Sequence, residues 1–296
     1  MATTYQISHR TLYSYPSPVT VAHYMARLMP RQLPTQSCPW HEIHIRPEPA
    51  CRAPTRQDAF GNPIVYFEIE GTHHQLEVVA RSFVRIHDRP TPEPRLSPPW
   101  DFIAAACRHD QWSPATAAAE FLWPSPLVPI HPELADFAAP SFPAGRPILE
   151  GVADLNARIF RSFQFDPEAT SAATPVMDAF HQRRGVCQDM AHIMTGCLRS
   201  IGLPARYVSG YLETIPPPGQ PRLIGADASH AWTSVWCGES LGWIDADPTN
   251  DLLPQNRHIT IGWGRDFSDV SPLTGVSIGS PHQALTVSVD VMALDD

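Results

Sequence analysis

Apolar and polar residues alternate over most of the first 90 positions of the chain. The runs TYQISHRTLYSY and HEIHIRP change polarity at nearly every step, and NPIVYFEIEGTHHQLEVVARSFVRI does so on both sides of Gly71 and Thr72. A period of two places neighbouring side chains on opposite faces of a sheet. The pattern predicts an all-β region over residues 1–90, with separate strands before and after Gly71.

Proline interrupts this pattern in the middle of the chain. It accounts for 33 of the 296 residues, roughly twice its average share, and it is concentrated in residues 90–99 and 124–147. The segments DFIAAACRHD, PATAAAEFLW and HPELADFAAP each predict a short helix. Residues 91–147 are therefore expected to form a proline-rich helical connector.

Helical periodicity returns near residue 148. The segments PILEGVADLNARIFRSF and TPVMDAFHQRR each predict a helix, and Gly185 is expected to end the second. A third helix is predicted from Cys187 to Ser200, because its apolar residues recur three and four positions apart. Three strands are predicted to follow, at residues 205–213, 228–236 and 242–248.

The third helix begins with Cys187, the thiol that the sequence predicts to be most reactive. A thiol at a helix N-terminus faces unpaired backbone N–H groups and the positive end of the helix dipole, and both favour its thiolate form. The same N–H groups can hold an oxyanion. Cys197 lies on the apolar stripe of this helix and is expected to be part of the core.

A thiol nucleophile needs a base nearby, and His230 in ASHAWTSVW is the best candidate. His192 lies five residues after Cys187, which places it ~140° around the helix, so a structural or surface position is expected for it. His181, in the preceding helix, is a candidate for capping a neighbouring element. Asp189 is expected to interact with the helix dipole and not to act in catalysis.

Two carboxylates in GWIDADP, those of Asp245 and Asp247, are candidates for orienting His230. A two-residue turn at Gly238 and Glu239 would place Asp247 directly opposite His230, with the Cβ atoms ~5 Å apart. The register therefore favours Asp247. A different turn length would break this inference.

Composition and charge exclude several classes of function. The net charge is −9 and the pI is about 5.8, without a basic cluster, so nucleic acid is not an expected partner. No apolar run approaches the ~18 residues of a membrane helix, and the N-terminus lacks a secretory signal, so a cytoplasmic location without a membrane partner is expected. The six cysteines are scattered and expected to be reduced. The 14 histidines lack ligand spacing, so no metal or other cofactor is expected.

Long stretches of the chain resemble one family. RRGVCQDMAHIMTGCLRSIGLPARYVSGYLE, followed by SHAWTSVW and GWIDADPTN, resembles the core of the bacterial transglutaminase-like proteins. YQISHRTLYSYPSPVTVAHYMARLMPR resembles the N-terminal β domain of that family. GRDFSDVSPLTGVSIGS and ALTVSVDVMAL resemble its C-terminal segment. Residues 90–147 are the part without a recognisable motif.

The resemblance implies an α+β fold built from two main parts. Residues 1–90 would form a β-sandwich, and residues 148–260 a papain-like transglutaminase core in which a cysteine-bearing helix packs on an antiparallel sheet. Residues 261–296 would return to the N-terminal domain, with a strand at about 284–293 completing its sheet.

The same resemblance implies the roles of individual residues. Cys187 would be the nucleophile, His230 the base and Asp247 the orienting carboxylate. Trp232, which shares a strand face with His230, is expected with Trp236 and Trp243 to pack in the core and sheet, and of the three it is the best candidate for a wall of the substrate channel.

Two positions depart from the family pattern. Ser234 stands where relatives usually have a glutamate, and Phe165 stands where many have a tyrosine in an F-x-Y motif. If that tyrosine helps to hold the oxyanion, Phe165 cannot replace it, and the second oxyanion donor is left open. The candidates are Gln164, Gln182 and Gln188.

These features favour an enzyme that transfers acyl groups from protein or peptide substrates through a thioester. If an amine resolves the thioester, the enzyme is a transglutaminase; if water does, it is a cysteine peptidase or amidase. The triad is the same in both cases, so the sequence leaves this choice open, as it does the oligomeric state. The alternative is a non-catalytic peptide-binding or scaffold module, which the presence of all three triad residues disfavours.

Overall fold

Two strands of 25 residues each form the frame of the N-terminal part. The computed structural model describes residues 2–88, 92–109, 114–214 and 229–294. Its first five strands are β1 (Ala2–Ala26), β2 (Gln36–Arg46), β3 (Cys51–Arg52), β4 (Arg56–Gln57) and β5 (Pro63–His87). β5 pairs antiparallel with β1 on one side and with β2, β3 and β4 on the other.

The long strands are irregular near their middles, and residues from both halves of β1 and β5 pack into one hydrophobic cluster, among them Tyr13, Tyr24, Phe67 and Val78. The pairing of β1 with β5 shifts register between Ser14 and Val21, and Gly71 on β5 takes a φ of 97°, which other residues rarely adopt. The hydroxyls of Tyr15 and Tyr24, on either side of this irregularity, lie 3.0 Å apart. The prediction of two separate strands around Gly71 is wrong, because an irregularity of this kind bends a strand without ending its pairing.

Short helices occupy the proline-rich middle of the chain, as the sequence indicated. They are α1 (Trp100–His109), α2 (Pro114–Ala119) and α3 (Pro132–Ala138), with 3₁₀ turns at Pro94–Leu96, Glu120–Leu122 and Ala139–Ser141. Each of the three helices contributes buried residues to the largest hydrophobic cluster of the protein: Ile103, Ala104, Ala118, Leu134 and Ala138.

Three further helices follow, with two very short strands between them. They are α4 (Ile148–Ser162), β6 (Gln164–Phe165), α5 (Val176–Gln182), β7 (Arg184–Gly185) and α6 (Cys187–Ser200). The bounds of α6 confirm the helix predicted from Cys187 to Ser200. α5 ends before Gly185, because Arg183 takes the left-handed conformation with a φ of 56°. The Arg183 guanidinium lies 4.2 Å from the ring centroid of Phe180, a cation–π contact that holds it there.

α6 packs on a four-stranded antiparallel sheet. The strands are β8 (Ala205–Leu212), β9 (Ser229–Trp236), β10 (Trp243–Ala246) and β11 (His258–Gly264), in the order β10-β9-β8-β11. All α6 residues from Asp189 to Arg199 are buried. On the side of α6 away from the sheet, a Cβ at Gly196 would lie 2.8 Å from Leu134 Cδ1, so glycine allows α3 to approach closely. α6 is therefore enclosed between the connector and the sheet.

The last elements return to the N-terminal sheet. They are α7 (Phe267–Val270), β12 (Leu273–Ile278) and β13 (Ala284–Leu294). β13 pairs with the first half of β1 and β12 with the second half, as the alternation of ALTVSVDVMAL and the family resemblance indicated. Val289 and Val291 of β13 join Ile7, Ile259 and Ile261 in a cluster that links the N-terminal sheet to the core sheet.

Two further findings concern membrane-spanning helices and disulfide bonds. Among the described residues, no helix is both long enough and apolar enough to cross a membrane. All six cysteines lie in the described ranges, and none of them forms a disulfide.

Shortening Val291 should destabilise the protein. Val291 has no exposed surface and lies opposite Ile7, so Val291→Ala is expected to lower the free energy of unfolding by about 2 kcal/mol. Val287 lies on the same face of β13 but is 45% exposed, and Val287→Ala should change the free energy by less than about 0.5 kcal/mol. Chemical denaturation measures both variants, and equal small effects would contradict the docking of β13.

Candidate active site

The start of α6 is fixed by the carboxylate of Asp189. Its Oδ2 accepts hydrogen bonds from the Val186 N–H at 2.8 Å and from the Thr170 hydroxyl at 2.7 Å. Gly185 leaves room for this carboxylate, because a Cβ at Gly185 would collide with it. Asp189 therefore caps the helix start, in agreement with the dipole interaction predicted for it.

Cys187 is the first residue of α6 and is partly buried. It packs against a buried cluster formed by Ala191, Tyr207, Ala231 and Val270. Its N–H belongs to the first helical turn, where backbone donors have no partner within the helix. Such donors can stabilise negative charge that develops on a substrate oxygen beside the thiol.

His230 connects Cys187 to Asp247. It is the second residue of β9, and its Nε2 donates a hydrogen bond to Asp247 Oδ2 at 2.8 Å. Cys187 is also among the groups that raise the pKa of His230, so the thiol lies close to the imidazole. The structure thus brings together the three side chains that the sequence and the family resemblance singled out.

Asp247 has no exposed surface, and hydrogen bonds replace its hydration. Its Oδ1 accepts from the backbone N–H groups of Thr249 (3.0 Å) and Asn250 (3.3 Å). Its Oδ2 accepts from His230, from His258 Nε2 at 2.8 Å and from the Asn250 side-chain amide at 2.8 Å. A buried carboxylate with this many donors stays ionised.

The protonation states of His230 and Asp247 follow from these contacts. Burial alone would lower the pKa of His230, but hydrogen bonds with Asp247 and Cys187 and the charges of those groups raise it to about 10. Burial also opposes ionisation of Asp247, yet the hydrogen bonds from His230 and His258 hold its pKa well below the usual range. At neutral pH the site therefore contains an imidazolium next to a carboxylate.

The hairpin register predicted from the sequence is wrong, although Asp247 is the partner of His230. The Cys237 N–H bonds the Gly242 carbonyl at 2.8 Å, so the turn has four residues instead of two. The longer turn shifts the pairing of β9 with β10 by two residues, so Asp245 lies opposite Ser234. Asp247 lies one residue beyond the paired part of β10 and reaches His230 diagonally, a distance that neighbouring strands allow.

Two residues of the site were missed by the sequence analysis, His258 and Asn250. Asn250 follows Asp247 in the turn DPTN, a position from which a side-chain amide can reach back to the carboxylate. His258 begins β11, which lies at the opposite edge of the sheet from β10. No periodicity in the sequence relates these two edges, so the contact between His258 and Asp247 needs the folded structure.

The residues proposed as oxyanion donors have different positions. Gln164 and Gln182 are exposed, and the hydrogen bonds found among the described residues link neither side chain to the triad. The Gln188 amide donates to the Ala172 carbonyl at 3.4 Å. These contacts support none of the three as the second donor. Phe165 is 55% exposed and pairs with Gly185, two residues before Cys187.

Trp232 does not line an open channel, because it has no exposed surface. The centroid of its ring lies 6.0 Å from the centroid of the His230 ring and 5.1 Å from that of the His258 ring. The ring contacts indicate a supporting position under both imidazoles. The burial of Trp232 agrees with the core and sheet packing expected for it and gives no support to a place in the channel wall.

The other two histidines near the site have structural contacts. His192 is buried and accepts a hydrogen bond from the Phe267 N–H at 3.1 Å. Burial lowers the pKa of His192 to about 4, so its ring is neutral. His181 is exposed and bonds Glu133 of α3 at 2.9 Å. Both findings agree with the non-catalytic positions expected from the sequence.

One group of side chains in the described part of the chain has donor atoms close enough to converge on a metal ion. It consists of His230, Asp247 and His258, whose candidate ligand atoms lie within 4.8 Å of one another. Two hydrogen bonds of 2.8 Å, from the Nε2–H groups of His230 and His258 to the Asp247 carboxylate, account for the short distances between these atoms. The sequence analysis missed this grouping because it lacked His258.

Comparison with known proteins matches two separate parts of the chain to family models. Residues 5–85 match the bacterial transglutaminase-like N-terminal region, and residues 138–248 match the transglutaminase-like superfamily. An uncharacterized protein of Mycobacterium tuberculosis is 39% identical over 299 residues, covering 98% of this chain and 93% of its own. A protein-glutamine gamma-glutamyltransferase of Pseudomonas aeruginosa is 33% identical over 109 residues, which cover 34% of this chain and 16% of its own.

The fold also has a counterpart among solved structures. A candidate cysteine protease from Cytophaga hutchinsonii superposes with a TM-score of 0.74, covering 100% of this chain and 92% of its own at 18% identity. At that identity the likeness concerns the fold alone. The two family matches show that the chain belongs to the transglutaminase-like superfamily and carries the bacterial transglutaminase-like N-terminal region.

Proposed function

We propose that the protein catalyses acyl transfer from a peptide or carboxamide substrate through a thioester on Cys187. The observation that carries this proposal is the hydrogen bond of 2.8 Å between His230 and the buried carboxylate of Asp247, with the Cys187 thiol at the helix start close enough to the imidazole to raise its pKa. A nucleophile, a base and an orienting group in this order form the arrangement that cysteine and serine acyl-transfer enzymes use.

In the first half-reaction, the Cys187 thiolate attacks the carbonyl carbon of the substrate. A C–S bond forms, and the carbonyl oxygen takes up negative charge beside the first-turn N–H groups of α6. The His230 imidazolium then gives its Nδ1 proton to the departing nitrogen as the C–N bond breaks. Ammonia or an amine leaves, and the acyl group remains on sulfur as a thioester.

In the second half-reaction, neutral His230 removes a proton from the incoming water or amine as it attacks the thioester. The Cys187 thiolate leaves and pairs again with the imidazolium. Water yields an acid and an amine yields a new amide, with the same catalytic groups. The similar proteins include both a named glutamyltransferase and a candidate cysteine protease, so we propose acyl transfer in this wider sense.

The products formed from a glutamine-containing peptide library should reveal the acceptor. Mass spectrometry with and without a primary amine separates amine adducts from deamidated or cleaved peptides. Cys187→Ala should abolish every product, whereas Cys51→Ala, which removes an exposed thiol, should leave turnover unchanged. Products from Cys187→Ala would refute the nucleophile assignment, and no product from the unaltered protein would favour a binding module.

Cys187 should react with iodoacetamide faster than the other five thiols near pH 6. Burial raises the pKa of four of them: Cys38 and Cys107 to about 11, and Cys197 and Cys237 further still. Cys51 is exposed and serves as the internal standard. Peptide mapping after brief alkylation measures each site. Faster labelling of Cys51 than of Cys187 at pH 6 would argue against an imidazolium-paired thiol.

Asp247→Asn should reduce turnover strongly and Asp245→Asn only slightly. The amide cannot hold the His230 imidazolium, and the corresponding change in a serine enzyme costs about 10⁴. With a thiol nucleophile we expect a loss on the order of 10²–10³ for Asp247→Asn and a few-fold loss for Asp245→Asn.

The loss of the Asp247 charge should also change the pH profile of kcat/KM in a defined direction. Asp247 helps to raise the pKa of His230 to about 10, so its loss should move the alkaline limb of kcat/KM to lower pH. Both variants are measured with one substrate after circular dichroism shows them folded. If Asp245→Asn is the more damaged variant, the orienting carboxylate must be reassigned.

A further inference from the structure

We propose that His258 is a positioning residue of the site: its Nε2–H holds the Asp247 carboxylate in the orientation that binds His230. This proposal rests on the function proposed above and concerns how the side chains of the triad are held in their relative orientation. His258 Nε2 and His230 Nε2 both donate to Asp247 Oδ2, and both distances are 2.8 Å.

Asp247 needs such a contact because β10 does not hold it. The last paired residue of β10 is Ala246. The donors to Oδ1 are the N–H groups of Thr249 and Asn250, in the turn that follows. The backbone of Asp247 pairs with Leu252, further along the same connection. Contacts within one connection move together with it, so they do not fix the carboxylate relative to His230.

His258 links the carboxylate to the sheet that carries His230. It is the first residue of β11 and pairs with Leu212 of β8. β8 in turn pairs with β9, where Gly210 lies opposite His230. The segment 247–258 crosses from one edge of the sheet to the other, and the hydrogen bond from His258 joins its two ends.

The His258 ring is itself well fixed. It is 5% exposed and meets the Trp232 ring edge-on, with centroids 5.1 Å apart. The titratable groups that face it are Asp247, His230 and Asp245. Burial lowers the pKa of His258 although Asp247 opposes this effect. The ring is therefore neutral near pH 7 and donates through the Nε2–H tautomer, because an ionised carboxylate can only accept.

A rival role for His258 predicts the opposite pH response. Two donors on one oxygen share its charge, and in the rival role His258 only weakens the hold of Asp247 on His230. Removing it would then raise the pKa of His230. If His258 instead positions the carboxylate, removing it loosens the contact between Asp247 and His230 and lowers the pKa of His230. The direction of the shift therefore separates the two roles.

The test compares two variants with the unaltered protein. His258→Phe keeps a ring against Trp232 and removes the donor, whereas His258→Gln keeps an amide N–H near the place of Nε2. Three quantities are measured: kcat and KM over pH 5–10, the pH midpoint of the His230 ring, read by imidazole ¹⁵N NMR, and the melting temperature. The NMR titration needs no substrate, so it reports on the site even if the proposed reaction is wrong.

We expect His258→Phe to lower kcat/KM by about 10- to 100-fold, mainly through kcat, as the loss of a hydrogen bond to a charged group would. The alkaline limb should move to lower pH, and the His230 midpoint should move in the same direction. His258→Gln should stay within about three-fold of the unaltered protein, with both limbs in place. A purely structural role would lower the melting temperature of both variants and leave the pH midpoints unchanged.

Three results would overturn the proposal. The first is unchanged pH midpoints in folded His258→Phe, and the second is an alkaline limb that moves to higher pH. The third needs no variant: imidazole ¹⁵N NMR of the unaltered protein would show His258 as the Nδ1–H tautomer. If turnover is absent but the His230 midpoint shifts as expected, the acyl-transfer function fails and the positioning role of His258 stands.

Discussion

A carboxylate with no exposed surface, that of Asp247, is the contact on which the arrangement of the site depends. A charge removed from water is tolerated only where hydrogen bonds and opposite charge replace its hydration. Asp247 obtains these from two backbone N–H groups, one amide and two imidazoles. Because its partners come from β9, β11 and its own turn, satisfying this one group brings the ends of separate strands together. The orientation and charge of His230, and through it the environment of Cys187, follow from that requirement.

The N-terminal sheet contributes to the site through β11. Ile259 and Ile261 of β11 pack with Ile7 and Val291 in the cluster between the two sheets, and His258 precedes them on the same strand. A hydrogen bond of 2.9 Å between the Tyr211 hydroxyl and His9 Nδ1 joins the sheets a second time. Burial lowers the pKa of His9 to about 4, so this contact involves a neutral ring. The strand that supports Asp247 is thus itself held by the N-terminal part of the chain.

Local patterns in the sequence were sufficient for part of this structure. The apolar spacing after Cys187 predicted α6 with its observed bounds, since amphipathic spacing is a property of one segment. Cys187, His230 and Asp247 were named from a helix start, a strand face and a family motif, and the structure places His230 against Asp247 and within electrostatic reach of Cys187. Their catalytic roles stay predictions.

Features that depend on the relation between segments were not predictable in this way. The register between His230 and Asp247 was wrong, because the turn after Cys237 has four residues and turn length sets register. His258 was missed, because β10 and β11 become neighbours of one carboxylate only through the segment that crosses the end of the sheet. Gly71 was predicted to separate two strands, whereas β5 continues through it, because glycine occurs both at strand ends and at irregularities within a strand.

Detection of the covalent intermediate would test the central claim most directly. The protein is mixed with an activated acyl ester, quenched in acid and examined by intact-protein mass spectrometry and peptide mapping. The account predicts one added acyl group, located on Cys187, that hydroxylamine removes and that an amine or water discharges at neutral pH. An adduct that forms on Cys51 at an equal or greater rate, or none on Cys187, would contradict it.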